Sequence, residues 1–99
     1  MDLAQFAASV SAEAPPAALS PALSALWWDA KGAWDKAHEY AQRQDDAAGA
    51  WVHAYLHRKE GDLENAGYWY RLAGKPLADG PLPREWEAIA KALLKDRRD

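Results

Sequence analysis

Apolar positions along this chain recur at helical spacing and are broken by glycine and proline, so the pattern predicts an all-α protein. Leu3, Phe6, Ala7 and Val10 share one face of a short helix over residues 2–11. Glu13-Ala14-Pro15-Pro16 then removes backbone donors and disfavours helix, which makes a rigid connection. Ser20-Pro21 is a start signal, a hydroxyl to cap free N–H groups followed by a proline suited to the first helical position. Over residues 21–31 the stripe is Leu19, Ala22, Leu23, Leu26, Trp27 and Ala30, with Ser24, Trp28 and Lys31 opposite, and Gly32 ends the helix.

The division returns further on. A helix over 33–44 presents Trp34, Ala37, His38 and Ala41; one over 47–60 carries Ala48, Trp51, Val52, Tyr55 and Leu56, extended by the stem of Lys59. The stripe places His53, His57 and Glu60 on the opposite side of that helix. A helix over 63–73 presents Leu63, Ala66, Gly67 and Tyr70, and small residues at Ala37, Ala41, Ala66 and Ala73 permit close helix approach. Asp45-Asp46 is suited to cap the third of these four helices, and Gly74 with Pro76 marks the end of the fourth. Lys75 to Pro83, with Gly80 and three prolines, reads as a loop. A last helix over 83–95, with Trp86, Ile89, Ala90 and Leu93 on one face, is expected to cap the open end of the stack.

Gly32-Ala33-Trp34-Asp35-Lys36-Ala37 returns 29 residues later as Gly61-Asp62-Leu63-Glu64-Asn65-Ala66. Helix, glycine turn, helix at a fixed period is the pattern of stacked αα-hairpins. The expected architecture is therefore two stacked hairpins in one domain over residues 1–99, with a repeat core at about 20–76, an N-terminal helix and a C-terminal capping helix. The run from Gly61 to Ala66, followed by Tyr68-Trp69-Tyr70-Arg71-Leu72-Ala73, resembles the second helix of tetratricopeptide-type repeats. That resemblance implies a scaffold or a peptide-binding groove. Two departures stand beside it: the period is about five residues shorter than the tetratricopeptide one, and only two copies are present. An alignment anchored on the glycines also turns positions 53 and 57 toward the partner helix, whereas the stripe turns them away; the stripe holds in both copies and is preferred. The run from Trp51 to Asp62 is similar to runs in a group of small bacterial proteins, a resemblance that implies no activity.

Composition narrows the function. Twelve Lys and Arg against fifteen Asp and Glu give a net charge of −3, and the one basic cluster, Lys95 with Arg97 and Arg98, is broken by acids. No nucleic-acid partner is expected, because phosphate-backbone binding needs a concentrated basic surface. The absence of cysteine excludes disulfides and thiolate metal sites. The first residues carry Asp2 and Glu13 with no basic segment and no long apolar run, so a cytoplasmic protein without a membrane partner is expected.

No phosphate loop, nucleophile elbow or cysteine nucleophile is present, and His38-Glu39 begins an H-E-x-x-H pattern that Gln42 breaks. No enzyme activity and no cofactor are expected. His53 and His57, four apart on a helix, are weak candidates for a metal site, with Glu60 as a third ligand. Six Trp and four Tyr against one Phe supply amphipathic rings with polar handles. Stacking at the 29-residue offset should bring Trp28 toward His57 and Ser24 toward His53, and should line Trp27, Trp51 and Tyr55 up with Leu23 and Leu26. The leading expectation is an adaptor that binds a protein or peptide and forms a homodimer, with Trp27, Trp28, Trp51, His53, Tyr55 and His57 as binding residues. The alternative is a small-molecule or metal-binding protein whose Trp28, His53 and His57 hold an anionic or aromatic group more tightly as the imidazoles protonate.

Overall fold

In the computed structural model, which describes residues 1–96, the glycine and proline punctuation falls between helices or, at Pro21 and Pro83, in a helix's first turn. The helices are α1 (Leu3–Ser9), α2 (Pro21–Ala30), α3 (Trp34–Gln42), α4 (Ala47–Glu60), α5 (Leu63–Ala73) and α6 (Leu82–Asp96), with no strand among the described residues. Arg97 and Arg98 lie outside them. Asp2 and Gln5 form a reciprocal cap on α1, each side chain accepting from the other's backbone N–H at 2.8 and 2.9 Å. Ser20 caps α2 through the Leu23 N–H with Pro21 at its first position. Asp46 and Asp62 accept from the N–H groups of Gly49 and Asn65 to start α4 and α5.

Successive helices pair as two hairpins, α2 with α3 and α4 with α5, and α4 also packs on α3 and α2. Gly61 makes the second hairpin turn in the left-handed region, φ +91°, where an L side chain is strained. Between the hairpins the chain turns within four residues of the end of α3. Gln44 ties that turn down: its amide oxygen accepts from the Ala22 N–H at 2.9 Å and its nitrogen donates to Asp46. Gly49 is required here, since a Cβ would stand 1.8 Å from the Gln44 carbonyl oxygen.

The main core joins Phe6, Leu23, Leu26, Trp27, Val52, Tyr55, Leu56, Ile89 and Leu93, contributed by α1, α2, α4 and α6. A smaller cluster of Ala54, Ala66 and Tyr70 sits between α4 and α5. Ala37 and Ala66, which the 29-residue offset aligns, are both buried at the seams of their hairpins.

The last helix covers the hairpins along one flank: α6 packs on α2 and α4 and against α1. Trp86 donates its indole N–H to the Leu26 carbonyl at 2.9 Å and stacks on Phe6. The physical reason is that the stripes of α2 and α4 together form an apolar surface, and Ile89 and Leu93 pack into the same core with it. Ion pairs and hydrogen bonds to two buried carboxylates fasten the arrangement. Arg58 on α4 bonds Glu85 on α6 at 3.0 Å and the carbonyls of Ala78 and Gly80 in the loop before it, and Tyr70 on α5 donates to the other Glu85 oxygen. Asp29 accepts from the Tyr55 hydroxyl at 2.9 Å and from Lys59 at 2.8 Å. Burial, with the carboxylates beside them, holds both phenols well above the ordinary tyrosine pKa.

Candidate functional site

Helix α4 touches α2, α3, α5 and α6, so it is buried nearly all round. Its apolar stripe marks one of two buried faces. The other carries His53 and His57, only 4% and 6% exposed, and turns them toward α3 and α5. The stripe therefore misdirects these histidines, and the glycine-anchored alignment orients them correctly. Spacing of i, i+4 stacks their rings on adjacent turns, with centroids 4.8 Å apart.

The half-buried His38 of α3 meets this pair edge-on, its ring 4.5 Å from that of His53 and 5.1 Å from that of His57. The three rings offer nitrogens within 4.8 Å of one another. Two indoles bracket them. Trp34 stacks on His38 at 5.0 Å and is fixed by its N–H bond to the Leu56 carbonyl at 2.9 Å. Trp69 stacks on His53 at 3.8 Å.

Each imidazole has a distinct electrostatic setting. His57 presents Nδ1 to the Glu60 carboxylate at 2.6 Å, so that nitrogen carries a proton, while Asn65 approaches Nε2 at a long 3.4 Å. Desolvation, reinforced by His38 and His57, pushes His53 down to about 4. Desolvation and His57 also lower His38, against the opposing pull of Glu60 and Asp35. His53 is therefore neutral at neutral pH. Among the described residues, no hydrogen bond within the chain engages a ring nitrogen of His38 or His53.

A shallow pocket reaches the cluster between the α3–α4 turn and α5. His53 and Trp69 stand in its wall with Gln42, Asp45, Asp46 and Leu72. The approach is acidic and suits a cation better than an anion.

Other expected site residues lie apart from this cluster. Trp27 and Tyr55 are core, 0% and 2% exposed, and are covered. The strip they form with Leu23 and Leu26 is the surface α6 closes, while Trp51 is partly buried beneath Lys75, 4.2 Å from its ring. Trp28 does not join the histidines: it meets Trp27 edge-on and lies under Lys36, and its buried indole N–H has no partner. The reason is the packing direction: α2 faces its hairpin partner α3 at Trp28, whereas α4 faces both α3 and α5 at His57. Sequence reasoning missed Trp34, Asn65 and Trp69 as neighbours of the histidines. The signal that could have found them was the hairpin itself, which sets α3 and α5 on either side of the 53/57 face.

Among the described residues, no helix is long and apolar enough to cross a membrane. No family model matches the chain, and no curated protein or solved structure matches it.

Proposed function

We propose that this chain is a helical binding module whose working site is the cluster of His38, His53 and His57 with its flanking tryptophans. The observation that carries the reading is the convergence of three imidazoles from two helices, two of them without hydrogen-bond partners among the described residues, beside a pocket. Among the described residues the fully buried side-chain atom without a partner is Trp28 Nε1, so the unpartnered nitrogens of His38 and His53 keep access to solvent, where a ligand can reach them. A ligand would take the place of water on these nitrogens. The neutral His53 ring and the acidic approach disfavour the anionic ligand expected from the sequence.

Two further elements of the reading remain proposals. A tetratricopeptide-like relationship is supported by paired hairpins whose turns at Gly32 and Gly61 both take positive φ. A cytoplasmic location is supported by the cysteine-free sequence.

His53→Leu separates a ligand site from a structural one. If the cluster serves a ligand, denaturant unfolding at pH 7 should find the variant within about 1 kcal/mol of the parent or more stable. A loss beyond about 2 kcal/mol makes the cluster structural and ends this reading.

The adaptor reading is favoured by a different observation. Tyr68 and Leu72, four apart on the outward face of α5, are half exposed. If that face binds a second copy, sedimentation at high concentration should show a dimer that Leu72→Glu dissolves; a monomer throughout removes the homodimer.

A further inference from the structure

The binding reading leaves the ligand's chemistry open, and three features of the cluster narrow it. All converging donors are imidazole nitrogens, a set that suits zinc, copper or nickel and does not suit calcium or magnesium, which take oxygen. The donors lie on two rigid helices rather than on loops, with His53 and His57 on successive turns of α4 and His38 facing them from α3. The third feature is a carboxylate behind one ligand: Glu60 accepts from Nδ1 of His57 and aims Nε2 away from itself, the arrangement that orients metal-binding histidines.

We propose that His38, His53 and His57 bind one divalent late transition-metal ion, zinc being the best match, with Glu60 as the positioning residue for His57. This rests on the reading of the cluster as the working site. Zinc–imidazole bonds of about 2.1 Å set tetrahedral donors about 3.4 Å apart. The nitrogens here lie within 4.8 Å of one another, so small rotations of rings already seated on Trp34 and Trp69 close the site. An ion bound at His57 Nε2 would displace only the long 3.4 Å contact from Asn65. Glu60 and Asp35 beside the cluster, with Asp45 and Asp46 at the pocket, favour a cation. Three protein ligands leave a fourth position for water or a small ligand.

A competing cation site shares His57. His57, Glu60 and Asp62 also converge, but both carboxylates are exposed, and Asp62 already caps α5. In the three-histidine set His38 and His53 have no hydrogen bond among the described residues to give up, and His57 keeps its bond to Glu60, so this set is the one assigned.

The test is titration of chelator-treated full chain with Zn2+ alone by calorimetry, and with Co2+ followed by visible absorption. The expected result is one ion per chain at micromolar affinity or tighter, with the intense d–d bands of low-coordinate cobalt. Glu60→Gln should weaken binding by about 10- to 100-fold while keeping the stoichiometry. His53→Gln should weaken it further, and His38→Gln, at the half-buried edge, carries the same expectation should the His53 variant not fold. Wild-type chain, folded by circular dichroism, that takes up no Zn2+ overturns the proposal. So does binding that survives both His38→Gln and His53→Gln but falls with Asp62→Asn, which would move the ion to the other cluster. Failure of zinc binding with His53→Leu still stable refutes the metal and leaves the binding site; a destabilised His53→Leu refutes the site itself.

Discussion

His53 shows how one residue's surroundings set its chemistry. Burial and two neighbouring imidazoles hold its folded pKa at about 4, below the ordinary 6.5. As pH falls, the unfolded chain takes up the proton first, so the folded state loses stability through the window from about 6.5 to about 4. In chelator-treated protein the loss should approach about 3 kcal/mol, the equivalent of that displacement. His38, shifted in the same direction, adds to it. Urea unfolding at pH 7 and pH 4.5 should show the drop, and His53→Leu should remove most of it. A profile unchanged by that substitution would mean that His53 titrates as it does in the unfolded chain. At this scale the sequence was partly legible. The spacing of His53 and His57 was visible, but His38 joins them only through tertiary packing, and the aromatic partners of Trp28 follow from which neighbouring helix it faces.

At the scale of elements, capping residues and glycines were the most readable features, because their chemistry is local. Ser20-Pro21, Asp46 and Gly61 each do what their side chain, or the lack of one, dictates. The stripe of α4 misled for a physical reason: a helix packed on four neighbours buries polar residues as well as apolar ones, so hydrophobicity ceases to mark its inner face. Gly49 is a case that composition hides, since nothing in its flanking residues announces the approach of the Gln44 carbonyl. Gly49→Ala must push that carbonyl away and disturb both the α4 cap and the Gln44 bond to Ala22. It should lower stability by about 1–3 kcal/mol in denaturant unfolding. An alanine that leaves stability unchanged would show that the turn relaxes freely.

Across the whole molecule, the decisive feature is that α6 occupies the flank formed by the first helices of the two hairpins. The apolar strip expected to serve a partner is closed by the chain's own last helix, and what could be open to a protein lies on α5. Sequence periodicity identified α6 as apolar on one face but could not say which surface it would choose, because that depends on where the largest uncovered area remains once the hairpins have stacked. Ile89, fully buried there, reports on the union. Ile89→Ala should cost about 2–5 kcal/mol, and unfolding should remain a single transition if α6 is integral to the core. Separate loss of α6 while the hairpins persist would show that it is an appendage. The contact of α6 with α1 carries a topological consequence. Phe6 stacks on Trp86, and Met1 to Gln5 share a groove with Lys91, Leu94 and Lys95, so the two ends of the described chain lie side by side. A short linker could close the polypeptide into a ring, and fresh termini could be cut at the exposed residues 75–77 with all six helices still in register.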